Sequence, residues 1–297
     1  MATLWIFSPT SCSEYQPAIN GQLLSTSKKV LCLRNPWVTD SVFMGKLYCA
    51  LITGLMLGFY PFLFSNLSWS DFKLSPILFS ALTLIPLTFL PFLLYRIWFI
   101  KGLSSFCFNC STQKIYYKRL SKTLVFEWHN TGGGLFKRTE FGGSSFTTSY
   151  ALAFAPRRAD GSLHQKDCLW VDSNEPTEPD IRHVAEVWEY LRHFMAHGPD
   201  KLPPPGEPNW WHRPLHAICL TPAEAWRHYA PWRTGEPGEL QGKKNWQLPF
   251  WAVLFPYNLT VAICWYGVCR LFNVRAAPPP PEAFEEAPAQ PFKRKRN

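Results

Sequence analysis

The stretch PILFSALTLIPLTFLPFLLY, Pro76–Tyr95, decides the fold. It carries no charge from end to end. A run of ~20 apolar residues wound as helix crosses the ~30 Å hydrocarbon core of a bilayer. A second uncharged block, LYCALITGLMLGFYPFLF (Leu47–Phe64), comes before it, and only SNLSWSDFKLS joins the two. A buried helix of a soluble protein is the competing reading, and two such blocks in tandem argue against it. The pair reads as a transmembrane helical hairpin. Pro86 and Pro91 are expected to kink its second helix, which membranes tolerate where neighbours satisfy the freed carbonyls.

Outside these blocks the chain is polar and basic. It has 297 residues with a net charge of +9, and holds 27 Pro, 14 Trp and 23 Phe. Lys28, Lys29, Arg34 and Lys46 precede the first block, and Arg96, Lys101, Lys114, Lys118 and Arg119 follow the second. The connecting loop carries Lys73 beside Asp71. Basic residues collect on the cytoplasmic side, so both ends of the hairpin are expected there. The start, MATLWIFSPTSCSEY, lacks the basic opening and long apolar core of a signal peptide. None of the nine cysteines lies in the loop expected outside, which fits a reduced, cytoplasmic bulk.

A third apolar block, LPFWAVLFPYNLTVAICWYGVC (Leu248–Cys269), is long enough to cross but is interrupted by Pro249, Pro256 and Asn258. Lys243 and Lys244 flank one side, and Arg270 and Arg275 the other. A re-entrant or interfacial hairpin broken near Pro256 keeps the basic tail inside; a full third span is the alternative.

Between the second and third blocks, SSFCFN, KIYYKR, KTLVFEWHN, LFKRTEF, FTTSYALAFAP and KDCLWVD have the β-branched and aromatic density of strands. NTGGG (Asn130–Gly134) reads as a turn, and Asp160-Gly161 as a hairpin signal. About six antiparallel strands follow from this pattern. A helix comes next, with a Thr177–Asp180 capping box, Pro179 early and Gly198-Pro199 at its end. Val184, Val187, Trp188, Leu191, Phe194 and Met195 form its apolar face, with Arg182, Glu186, Glu189 and His193 opposite. The order of elements resembles the bacterial pleckstrin-homology-like arrangement. Phe106, Phe108, Tyr116, Val125, Trp128, Trp170, Trp188 and Leu191 are the expected core of this module. A proline-rich linker, GPDKLPPPGEPNWWHRP, leads to a short capped helix, TPAEAWRHY (Thr221–Tyr229). Trp210 and Trp211 suit either the membrane interface or packing on the β module. The tail after Phe272 is low in complexity and expected to be disordered.

The chemistry-bearing patterns are sparse. Cys107 and Cys110 form a Cys-x-x-Cys pair, but zinc needs two more ligands. His193 and His197 are spaced four apart on the helix face turned away from the sheet. A redox pair belongs at a helix N-terminus, and SSFCFNC reads as a strand entering a turn. Cys107 is thus expected to be a small, semi-buried hairpin residue. TGGGLFKRTEFGG lacks the Gly-Lys-Ser/Thr ending of a phosphate loop, and no Gly-x-Ser-x-Gly elbow occurs. No enzyme activity, cofactor or metal is expected, and no nucleic-acid motif accompanies the positive charge. A metal or thiol enzyme using Cys107 and Cys110 is the remote alternative.

FNCSTQKIYYKR, LVFEWHN, YALAFAP and VWEYLRHFMAHGPDKLPPP, set after a hydrophobic hairpin and before a tryptophan-rich return, carry a resemblance. The chain resembles a family of membrane proteins of Gram-negative bacteria often encoded near type VI secretion and Rhs-type toxin genes. CFNC and TGGG depart from that pattern. The resemblance implies an inner-membrane accessory or immunity factor with a protein partner, plausibly a toxin or secretion component.

The expected fold class is an α+β membrane protein: a transmembrane hairpin, then an antiparallel β module capped by an amphipathic helix, then a third membrane segment. The expected divisions are a cytoplasmic N-terminal segment (1–43), the hairpin (44–100), the β module with its helix (101–198), a linker (199–245), the third membrane segment (246–272) and a basic tail (273–297). Lys114, Lys118, Arg119, Lys122, Trp210, Trp211, Lys293, Arg294, Lys295 and Arg296 are the candidate lipid or partner contacts. An anionic-lipid-binding scaffold or sensor is the second functional reading, since a basic residue near an anionic membrane contributes about 1 kcal/mol.

Overall fold

A computed structural model of the chain describes residues 3–61, 65, 76–141, 146–163, 165–174, 180–207 and 209–285. The architecture is mixed α+β; among the described residues there are two antiparallel sheets and three helices long and apolar enough to cross a membrane. The chain folds as two units. Unit 1 gathers Met1–Pro36, Ser104–Gly206 and Pro278–Asn297; unit 2 gathers Trp37–Leu103 and Glu207–Ala277.

In unit 2, α1 (Pro36–Gly54) starts on a proline, whose missing N–H costs nothing in a first turn. It continues into a π-helical turn, Leu55–Phe59. Helix α2 (Pro76–Gly102) runs through Pro86 and Pro91 as one element. The stretches apolar enough to cross are Pro36–Gly58, Leu84–Gly102 and Asn245–Leu271. The first helix therefore begins at Pro36, not Leu47: Asp40 and Lys46 obscured its first three turns in the sequence. Lys46, Arg96 and Lys101, expected as flanking charges, lie within the helical spans. The Lys46 amine donates to the Pro214 carbonyl, and Lys101 Nζ donates to the Phe272 carbonyl at 3.2 Å.

Among the described residues unit 1 holds nine strands: β1 (Leu4–Phe7), β2 (Leu23–Thr26), β3 (Val30–Leu33), β4 (Phe106–Asn109), β5 (Lys114–Arg119), β6 (Lys122–Glu127), β7 (Thr131–Phe141), β8 (Phe146–Pro156) and β9 (Leu169–Asp172). One sheet has the order β1-β7-β8-β9, the other β2-β3-β4-β5-β6. All pairings are antiparallel. The six strands expected after the hairpin are present, but the N-terminal segment adds three more. Thr131–Gly134 is strand, not turn: it pairs with Ala153–Pro156, and Gly134 also faces Trp5 of β1. The glycines serve close approach. A Cβ on Gly133 would stand 2.6 Å from the Trp188 ring.

Trp188 belongs to α3 (Ile181–His197), capped by Asp180, whose side chain accepts from Arg182 N. Thr177 and Pro179 lie outside the described residues. The expected apolar face of α3 is buried, and Trp188 lies 5.0 Å from the Trp128 ring and 5.8 Å from Phe7. Of the residues expected opposite, Glu189 is also buried. Its carboxylate accepts from Ser13 N and Arg192, because the N-terminal segment covers that side. Seven of the eight expected core residues are buried; Val125, on the outer strand β6, is exposed.

Cys107 bonds Cys32 across β3 and β4, with the Cα atoms 4.3 Å apart. This corrects two expectations: Cys107 is fully buried, and it is not a free thiol. The residue that shapes the turn after β4 is Asn109. Its Oδ1 accepts from Ser111 N, Ser111 Oγ and Thr112 N, and its Nδ2 donates to the carbonyls of Ala283 and Glu285 at 3.0 Å each. Asn109 thus fastens the segment after the third apolar block onto β4.

The second half of unit 2 contains α4 (Pro222–Tyr229), with the expected Thr221/Glu224 capping box, and α5 (Leu248–Leu271). The expected break at Pro256 is absent. One hydrogen bond is forfeited there, and the helix continues.

Candidate functional site

The candidate cations among the described residues occupy one hairpin. Lys114, Lys118 and Arg119 lie on β5, and Lys122 opens β6. Lys114 stands opposite Glu127, a residue of opposite charge. Arg119 stands opposite Lys122 beside the two-residue turn Leu120–Ser121, with Leu120 at φ 56°. Like charges directly opposite oppose strand pairing. Arg119 and Lys122 are exposed, so an anion from solution or a surface can reach both. The candidate cations Lys293, Arg294, Lys295 and Arg296 lie outside the described residues.

The two candidate tryptophans separate. Trp210 is a core residue of unit 2, fully buried. It stacks on His228 at 4.2 Å, lies 5.5 Å from Trp251, and donates through Nε1 to Glu236 at 3.1 Å. Gly242 permits this, since a Cβ there would enter the Trp210 ring. Trp211 is half exposed and stacks on Trp251 at 5.8 Å. With Trp246, Phe250 and Leu254 these two rings line an apolar groove of about 490 Å³ along the first half of α5. Gln247 and Asn258 are its polar members. The volume falls in the ~300–1,000 Å³ range of small-molecule sites. Trp226 and Trp232, both exposed, pack on Phe255 of the same helix at 4.9 and 6.0 Å. The sequence singled out Trp210 and Trp211 but not Trp246, in the 3-10 turn before α5, or Phe250, in its first turn, which line the same groove as Trp211 and Trp251.

A closed charge network lies beneath the aromatic layer. Lys243, fully buried, donates to Glu239 at 2.7 Å and to the carbonyls of Arg227 and Trp232. Burial alone would raise the Glu239 pKa, but Lys243 and the N–H groups of Thr234 and Gly235 outweigh it and hold it at about 2. Burial, then the charges of Lys243 and Arg213, lower the His228 pKa to about 3. His228 is therefore neutral at physiological pH and faces Glu236 at 3.3 Å, while Arg213 pairs with Glu236 at 3.0 Å. These groups satisfy one another and position the tryptophans.

Cys110 is separate from Cys107. Its thiol lies 3.9 Å from the Lys28 carbonyl, and burial raises its pKa. The remote dithiol reading thus has no dithiol. His193 and His197 approach each other at 5.7 Å between ring centres without a third ligand. Among the described residues no group of three His, Cys, Asp or Glu could hold a metal. Two free thiols, Cys219 and Cys269, meet in unit 2, where Cys269 lowers the Cys219 pKa against the effect of burial.

No family model, no curated protein and no solved structure matches this chain.

Proposed function

We propose that the chain is a non-enzymatic integral protein of the bacterial inner membrane whose β unit is a protein-interaction module. The pleckstrin-homology-like description is part of this proposal, supported by two antiparallel sheets followed by α3. So is the role of accessory or immunity factor to a type VI secretion or Rhs toxin system, which rests on the resemblance alone. The observation that carries the reading is the outer edge of β6. This strand pairs only with β5 among the described residues, and it exposes Lys122, Thr123 and Val125. Strand edges of this kind accept an added strand from a partner. A photoreactive residue at Val125 of the full chain in native membranes should give one discrete protein adduct. Adducts with lipid alone, or none, would remove the reading.

The lipid-scaffold reading has its own support in the uncompensated Arg119–Lys122 pair. Hydrogen exchange across β5–β6 should slow in anionic nanodiscs compared with neutral ones. That difference should vanish in the variant Arg119→Gln/Lys122→Gln. Equal exchange in both nanodiscs would remove this second reading.

The proposed orientation puts unit 1 in the cytoplasm, following Lys28, Lys29, Arg34 and the β5 cations. The Cys32–Cys107 bond weighs the other way, because such bonds belong to oxidising compartments. A periplasmic reporter signal after Gly206, with that bond complete, would reverse the orientation.

A further inference from the structure

We infer that α5 does not cross the membrane. It lies in the membrane surface, with the face bearing Phe250, Val253, Leu254 and Tyr257 docked on lipid acyl chains.

Connectivity carries the first half. Gly206 and Pro278 both belong to unit 1. The Gly206 N–H donates to the Ile19 carbonyl at 2.8 Å, and Asn109 holds Ala283 and Glu285. A hydrogen-bonded body of this kind occupies one side of a bilayer. The chain leaves it at Pro36 and returns at Ser104 through α1 and α2, an even number of crossings. It leaves again at Gly206 and returns at Pro278, and among the described residues between them α5 alone is long and apolar enough to cross. One crossing cannot bring the chain back to the same side. Within unit 2, the far end of α5 is tied to the end of α2: Lys101 donates to Phe272, and Ala277 N donates to Leu103 O at 2.9 Å.

The covering of α5 carries the second half. Along one side it packs against Trp210, Trp226, Tyr229 and Trp232. On the other side Phe250 is 64% exposed, Val253 77%, Leu254 50% and Tyr257 49%. A membrane lipid is the occupant because this face belongs to the unit that holds both crossing helices. Its rim is tryptophan, the residue favoured at the hydrocarbon–water boundary. The groove along Trp211, Trp246 and Leu254 offers an acyl chain an apolar seat, with Gln247 at its polar edge. Surface helices bury such a face ~5–10 Å into the headgroup–acyl boundary.

The inference rests on the membrane placement of α1 and α2, so the test carries its own control. A fluorescent unnatural residue is placed singly at Val253, Tyr257, Ile263 and Leu271, and at Leu90 of α2, in the full chain reconstituted into vesicles. Quenching is read with phospholipids brominated near the glycerol end or near the chain terminus. All four α5 probes should be quenched most by the shallow bromines, and Leu90 by the deep ones. Deep quenching that peaks at Tyr257 and Ile263 and falls off at Leu271 would mean a crossing helix and overturn the inference. Absence of quenching at the α5 probes, with Leu90 still quenched, would mean that protein covers the face, and would also overturn it. Absence of quenching at Leu90 as well would instead defeat the membrane reading itself.

Discussion

Asn109 joins two parts of the chain that lie 174 residues apart, through a donor–acceptor set that CFNC does not advertise. Its amide is spent on the turn Cys110–Gln113 and on two carbonyls of the 278–285 segment. Asn109→Ala removes the donor to both carbonyls, of which the one at Ala283 is buried. It should cost ~1–3 kcal/mol and speed proteolysis of the C-terminal segment, read by limited digestion of the full chain. CFNC drew attention as a metal-ligand spacing, whereas Cys107 pairs with a residue 75 positions away. No local spacing encodes that partner. The Cys32→Ala/Cys107→Ala variant should lose ~2–4 kcal/mol in denaturant unfolding, while Cys110→Ala should be near neutral. His228 and Glu239 set a pH window. Both have folded pKa values depressed below their ordinary 6.5 and 4.5, to about 3 and about 2. Their contribution is complete above ~6.5 and is lost as pH falls, first through His228 towards 3 and then through Glu239 towards 2. Tryptophan emission during unfolding should show this decline, and His228→Gln should remove its upper part.

At the scale of elements, what could be read depended on periodicity. The apolar face of α3 was visible through its 3.6-residue repeat, and the strands of 106–172 through their β-branched and aromatic density. The two apolar blocks were visible through lack of charge, although Asp40 and Lys46 hid the first helix's true start. Strands β1, β2 and β3 have four residues each; β1 and β3 pair with partners far along the chain and β2 only with β3, so no local repeat exposes them. The glycines of β7 read as a turn by composition; what sets them is the Trp188 ring laid against Gly133. Gly133→Ala should therefore destabilise the β unit by ~1–3 kcal/mol through overpacking, measured by thermal unfolding. In the candidate site, Trp211 and the β5–β6 cations were legible as residue types. Which tryptophan is buried and which is open depends on Gly242 and the Lys243 network, a tertiary matter.

At the scale of the whole molecule, unit 1 is assembled from three separated pieces of chain. The sequence suggests consecutive modules because composition changes in blocks along it. Strand pairing of β3 with β4 and the clamp of Asn109 on Ala283 override those blocks. This assembly determines how many times the chain can cross a membrane and which surfaces a partner can reach. The most direct measurement places a compartment-sensitive reporter after Ser70, after Gly206 and after Asn297, one per full-length chain, in a Gram-negative host. The account predicts the same side for the reporters after Gly206 and Asn297 and the opposite side for the one after Ser70. A reporter after Asn297 that reads out with Ser70, across the membrane from Gly206, would contradict it.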